Sequence, residues 1–323
     1  MKLGVLTVPL YGMDLESALK YLHSIGVQAV ELGCGGSPGK KHLDPAVYLH
    51  NKENQKKLKE ILAENEIEIA AISAHGNAVH PNKEHAAAMK QDFENAVMLA
   101  EELGVSTVVD FSGCPGDSPT SQYPNWVTCT WPDDFKTILK YQWEEVLIPY
   151  WQNEVKFMRE HGIHRVAFEM HPGFCVYNPE TCLKLRDAVG PEIGANVDPS
   201  HLIWQGIDPC AAIDVLGKAG AIYHFHAKDT YVDPYKTAVN GVLDTKPFDR
   251  MSERSWLFRS VGYGHDEFYW KKIISALRMV GYDGVISIEH EDGLMSVKEG
   301  LEKAVSVLKD AIIYEDPVNE HWW

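Results

Sequence analysis

Ile222-Tyr223-His224-Phe225-His226-Ala227-Lys228-Asp229 reads as a buried strand that ends in charged groups. Side chains of an extended chain alternate between two faces, so His224 and His226 share one wall while Tyr223, Phe225 and Ala227 take the other. Two imidazoles aligned in this way are either metal ligands or packed core groups. The stretch alone favours packing, because a buried histidine with one backbone hydrogen bond is common. The rest of the chain shifts that balance, since other strand-like runs end in the same chemistry.

Upstream lie six such runs, at 3–8, 29–33, 67–75, 105–111, 165–169 and 193–198, and downstream lies one more, at 285–289. Between consecutive runs sits a segment with apolar residues at helical spacing, such as Leu15, Ala18, Leu19, Leu22 and Ile25, closed by Gly26. Asn178-Pro179 and Asp208-Pro209 place a capping side chain before a first-turn proline, and Ser296-Val297-Lys298-Glu299 is a capping box. Eight strands alternating with helices predict an α/β fold, a (β/α)8 TIM barrel. A doubly wound open sheet is the alternative, but no G-x-G-x-x-G follows the first strand to favour it.

At 323 residues the chain fits one barrel domain, 1–323. Two long interruptions, about 112–143 and 230–259, follow the fourth and seventh strands, a helix is expected at 145–161, and 314–323 reads as a C-terminal extension docked by Trp322 and Trp323. Both insertions should rise over one mouth of the barrel, where Trp126, Trp131 and Tyr231 would stack on a ring. Lys and Arg number 30 against 46 Asp and Glu, a net charge of −16 that repels a phosphate backbone and excludes a nucleic-acid partner. No apolar run reaches the roughly 18 residues of a membrane span, so no membrane partner is expected. The six cysteines form no C-x-x-C pair and no signal-peptide pattern opens the chain, which together predict a cytoplasmic protein with reduced thiols.

In a barrel of this class the active site lies at the carboxyl ends of the strands. Those ends carry Glu31, His75, Glu169 and His171, Asp198 and His201, His226, and Glu289 and His290. Two Glu, one Asp and one His from strands five to eight make a site of about three negative charges, too costly to bury without a cation or protons. One divalent metal ion suits such oxygen-rich ligands, Mn2+ best, with Mg2+, Co2+ or Zn2+ as alternatives.

Phe168-Glu169-Met170-His171-Pro172-Gly173, Val197-Asp198-Pro199-Ser200-His201, His224-Phe225-His226-Ala227-Lys228-Asp229, Gly262-Tyr263-Gly264 and Ile288-Glu289 resemble, in order and spacing, the xylose-isomerase-like barrel superfamily of sugar isomerases and epimerases. That group includes D-tagatose 3-epimerase, inosose dehydratase and endonuclease IV. The resemblance implies that Glu169, Asp198, His226 and Glu289 are the metal ligands and that Glu169 and Glu289 also carry protons. It further implies that His201 contacts a substrate oxygen and that a homo-oligomer is possible, while position and polarity add His75, His171, Lys228 and Arg259 as substrate-binding candidates.

The expected activity is a metal-dependent isomerisation or epimerisation of a ketose or related polyol through an enediolate, with a small-molecule sugar as partner. A metal-dependent lyase or dehydratase, of the inosose dehydratase kind or one that cleaves 3-keto-glycosides, is the alternative, followed by a non-catalytic sugar-binding subunit. An endonuclease IV-like nuclease is disfavoured. Phe111-Ser112-Gly113-Cys114 and Trp256-Leu257-Phe258-Arg259-Ser260-Val261 lack the additional ligands of its trinuclear zinc cluster. On the opening stretch, His226 at the strand end is the expected ligand and His224, one pleat deeper, a packed residue or a partner of a ligand. Lys228 and Asp229 should enter the rim of the pocket.

Overall fold

The computed structural model describes residues 1–315. Ten strands are present among them: β1 (Lys2–Leu6), β2 (Ala29–Gly33), β3 (Glu68–Ser73), β4 (Val108–Asp110), β5 (Val166–Glu169), β6 (Ile193–Val197), β7 (Ile222–Ala227), β8 (Asp229–Val232), β9 (Trp256–Arg259) and β10 (Val285–Ile288). All but β8 and β9 form a closed parallel barrel in the order β1-β10-β7-β6-β5-β4-β3-β2. The expected (β/α)8 barrel is therefore the fold. Trp322 and Trp323 of the expected docked extension lie outside the described residues.

The long helices coat the barrel through one apolar stripe each, and most of them start at a side-chain cap. In α1 (Leu15–Ser24) Asp14 accepts from the Ser17 amide while Ala18, Leu19 and Leu22 are buried. The last helix, which contains Val297–Ala311, starts at Ser296, whose hydroxyl accepts from the Glu299 amide. The outer core runs between strands and helices through Leu3, Phe93, Trp151, Phe168, Phe225 and Trp270, and a small inner cluster of Ala71, Val109 and Ala167 fills part of the barrel itself.

Register places the polar strand ends at related heights. Glu169 pairs with Asn196 and Asn196 with His224, while His226 pairs with Ser287. Asp198 and Glu289 lie two residues beyond Asn196 and Ser287, on the same faces. The β6–β7 pairing slips by one residue at Tyr223, which lies between Ala195↔Ile222 and Asn196↔His224. Tyr223 lays its ring where a side chain on Gly194 would stand, within 2.2 Å of the Cβ position.

Both long insertions hold more regular structure than the sequence suggests. The first becomes helical at Asp134, earlier than the expected 145, and runs to Glu160 through a π-type turn at Tyr141–Leu147. That widened turn carries the chain past Pro149, a residue that the interior of a regular helix excludes. The second insertion is bounded by β8 and β9, which pair antiparallel from Asp229↔Arg259 to Val232↔Trp256 and raise a ribbon from the end of β7.

Candidate active site at the carboxyl end of the barrel

Glu169, Asp198, His226 and Glu289 converge, each offering a ligand-type atom within 4.8 Å of the others. His226 lies at the centre. Its Nδ1 is 3.2 Å from both Glu169 Oε2 and Glu289 Oε2, and its Nε2 is 2.8 Å from Glu31 Oε2. His224 brings its Nε2 to the same Glu31 oxygen at 2.8 Å, and Ser287 donates to it at 3.1 Å. Ser73 bonds the other oxygen of Glu31. The two histidines of the seventh stave thus share one wall, as alternation requires, but face different partners.

Among the buried atoms here without a hydrogen-bond partner are His226 Nδ1, Asp198 Oδ2 and His201 Nε2. His201 Nε2 lies 2.8 Å from Glu169 Oε1 and 3.5 Å from Asp198 Oδ2, close but off the line of a hydrogen bond. His226 Nδ1 faces two carboxylates at 3.2 Å, a position that a proton occupies in the metal-free ring and that a cation would take over. The Glu31, His224 and His226 group has metal-ligand composition too. There, however, both Nε2 atoms are satisfied by Glu31, so it reads as a hydrogen-bonded core that holds His226 in place.

Lys228 completes the charge pattern. Its ammonium is fully buried, 2.5 Å from Glu289, 3.1 Å from Asp198 and 3.0 Å from Glu291, and it lies 4.8 Å from the Phe258 ring centre. The carboxylates of Glu169, Asp198, Glu289 and Glu291 outnumber the one ammonium of Lys228, an excess of negative charge that a divalent ion would offset. The donor set therefore fits a hard divalent metal.

Electrostatics separate the carboxylates. Burial would raise the Glu289 carboxyl, but Lys228 and His226 bring it down to about 2. Glu169 is also buried, and the imidazoles of His201, His226 and His75 hold it well below the usual range. For Asp198 burial outweighs Lys228 and His201, so its pKa is raised. Burial alone would lower His226; Glu31, Glu289 and Glu169 instead push it well above an ordinary histidine.

Above this cluster opens a cavity of about 710 Å³, lined by His75, His171, His201, Lys228, Glu169 and Glu289 on its polar side. His75 Nε2 reaches Glu169 Oε2 at 3.1 Å. Four of the five proposed substrate-binding residues thus line the cavity. Arg259 does not: its guanidinium pairs with Asp292 at 2.9 Å and lies over Tyr263. Asp229 also turns away from the pocket rim. Its carboxylate accepts from the amides of Gly262, Gly264 and His265 and from the Trp270 indole. The Gly262-Tyr263-Gly264 motif is a cradle for that carboxylate, since a Cβ on Gly264 would stand 2.5 Å from Asp229 Oδ1.

The expected ring-stacking aromatics are elsewhere as well. Trp126 packs edge-on against Tyr177, Trp131 and Tyr231 are exposed, and none of the three lines the cavity. The aromatic lining comes from Phe111, Phe174, Phe248 and Phe258. The sequence reading missed these four, Glu31 as a shared acceptor, and Glu291. For Glu31 a signal existed: a lone carboxylate inside the apolar run Ala29-Val30-Glu31-Leu32-Gly33 must find buried donors.

A family model for the xylose isomerase-like TIM barrel matches residues 19–311. The chain is 38% identical over 314 residues to the uncharacterized protein YfiH of Bacillus subtilis, an alignment covering 97% of this chain and 99% of that one. Among solved structures it resembles the probable 3-DHS dehydratase AsbF of Bacillus anthracis (TM-score 0.66, 16% identity, 96% and 99% covered). It also resembles the IOLI protein with a binding zinc atom (TM-score 0.66, 18% identity, 97% and 98% covered) and a D-tagatose 3-epimerase-like protein (TM-score 0.62, 22% identity, 96% and 98% covered). None of the described helices is long and apolar enough to cross a membrane. With the match spanning nearly the whole barrel, the chain belongs to the xylose isomerase-like TIM barrel family.

Proposed function

We propose that the chain is a divalent-metal-dependent isomerase or epimerase of a keto sugar, with Glu169, Asp198, His226 and Glu289 as metal ligands. The observation that carries the reading is the pair of buried ligand atoms without a hydrogen bond, His226 Nδ1 facing Glu169 and Glu289 and Asp198 Oδ2 beside the Lys228 ammonium, beneath an open cavity. A bound divalent ion would polarise the ketone and the neighbouring hydroxyl and favour the enediolate. Mn2+ matches the oxygen-rich donors best, and the zinc of the IOLI protein keeps Zn2+ as the alternative.

Glu289, ionised and bordering the cavity, takes the C–H proton. Glu169, held by His75 and His201, serves the other face of the same carbon, and return of a proton there inverts it. His171 and His201 line the cavity where sugar hydroxyls would hydrogen-bond. The free cysteines fit work in a reducing, cytoplasmic compartment.

A second reading, a lyase that removes a group next to the ionised carbon, is favoured by Lys228, whose ammonium lies beside Glu289 and lines the cavity. Solvent exchange separates these readings from a non-catalytic binder. The Mn2+-loaded protein should exchange a substrate C–H with D2O on a panel of keto sugars and keto-glycosides, and Glu289→Gln should slow exchange at least about 100-fold. Exchange with loss of a group identifies the lyase. Absence of exchange across the panel, or an unaffected Glu289→Gln, overturns the assignment.

A further inference from the structure

The cavity above the carboxylates is larger and more aromatic than a sugar ring requires. At about 710 Å³ it lies in the range that encloses drug-sized ligands. One side is a continuous arc of rings. Phe111 stacks on Phe174 with centres 4.1 Å apart and meets His171 edge-on at 5.3 Å; His171 touches His201 at 4.1 Å. His201 then meets Phe258 at 5.2 Å, and Phe258 stacks with Phe248 at 5.8 Å. The histidines of the arc belong to its polar floor, and its phenylalanines extend it. Val8, Pro9 and Pro38 add to the apolar lining.

The Phe248 end of the arc is built in advance. The ring of Phe248 is 58% exposed, yet it rests on the guanidinium of Arg254 at 4.1 Å and against Trp256 at 5.8 Å. Arg254 is itself buried, and Trp256 stacks face to face on Trp204 at 4.6 Å. A large apolar ring held open to solvent on a packed support, continuous with a polar floor, offers an uncovered face to a ligand.

Charge narrows the ligand further. Among the described residues Lys228 is the only Lys or Arg lining the cavity, and its ammonium is already engaged by Glu289, Asp198 and Glu291. Arg259, the nearest alternative from the same ribbon, pairs with Asp292. Away from the proposed metal ligands the described lining adds Glu291 and no cation but the engaged Lys228, so a phosphate dianion on the apolar side of the cavity would meet negative charge and no unpaired Lys or Arg.

We infer that the substrate is an uncharged keto-glycoside bearing a planar apolar group, the sugar on the carboxylate floor and the apolar group against the Phe174–Phe248 arc. This rests on the reading of the floor as a sugar site. It adds the aglycone and excludes sugar phosphates.

Titration calorimetry on the Mn2+-loaded protein, freed of excess metal, tests it with glucose, galactose, mannose and xylose, the phenyl glycosides of each in both anomers, and glucose 6-phosphate. At least one phenyl glycoside should bind ten times or more tighter than its parent sugar, and glucose 6-phosphate no tighter than glucose. Phe248→Ala should reduce that preference at least threefold, and Phe248→Leu less. A phosphate ester that binds tighter than every phenyl glycoside, phenyl glycosides no tighter than their parents, or a preference untouched by Phe248→Ala overturns the inference. Loss of D2O exchange alone would sink the catalytic reading and leave these binding ratios standing.

Discussion

Glu31 decides which nitrogen of His226 faces the proposed metal. Its Oε2 receives His226 Nε2 and His224 Nε2, both at 2.8 Å, and so fixes the ring orientation that presents Nδ1 to Glu169 and Glu289. Carboxylate partners of ligating histidines raise their basicity and hold their rings. Glu31→Gln keeps the shape, removes the charge and supplies an amide that can donate the wrong way. It should weaken Mn2+ binding by about 10–100-fold, read by calorimetry, whereas His224→Asn should weaken it less. Glu169, Asp198, His226 and Glu289 were legible one by one, because each ends a strand and strand ends face the mouth of such a barrel. The Glu31–His226 pair was not, since it joins β2 to β7 across the barrel interior, 195 positions apart, and nothing local encodes that contact.

The individual elements carry a second consequence through β4, which ends at Asp110. Burial pushes the Asp110 carboxyl up to about 7, against the amides of Gly76 and Phe111 and the charge of His75. The folded chain then keeps this proton to about pH 7, while the unfolded chain releases it near pH 4. Between those values the folded state binds more protons, so stability falls as pH rises, by up to about 1.4 kcal/mol per pH unit from this group. Denaturant unfolding from pH 5 to 8 should show the decline. Asp110→Asn, which cannot titrate, should show a shallower one, and equal slopes would refute the assignment. At this scale the eight staves and their helices were readable from alternation and capping. The β8–β9 ribbon was not: residues 233–255 separate its strands, so no short turn announced the pairing. Arg259 and Asp229 were assigned to the pocket for the same reason, before the pairing Asp229↔Arg259 placed them in a hairpin with partners of their own.

Across the whole molecule, repetition made the barrel legible, and closure then made the site, since closure alone brings β2, β5, β6, β7 and β10 around one centre. The aromatic wall followed from neither: Phe111, Phe174, Phe248 and Phe258 come from four separate segments with no shared period. The same closure links metal to stability. The unfolded chain scatters Glu169, Asp198, His226 and Glu289 over 121 residues, whereas the folded chain gathers them with an excess of negative charge beside Lys228. An ion that binds only the folded chain stabilises it by about 2.7 kcal/mol at one hundred times its dissociation constant. For a chain of this size that raises the unfolding midpoint by about 5 °C. Thermal unfolding of chelator-treated protein, with and without Mn2+, should show that rise and its reversal by chelator. Asp198→Asn combined with Glu289→Gln should abolish the rise, because it removes two ligands and leaves the Lys228 charge beside the remaining ones. A midpoint indifferent to Mn2+, Zn2+, Co2+ and Mg2+ alike would place no metal at this centre, and the bare His226 Nδ1 would then require protonation to stand between Glu169 and Glu289.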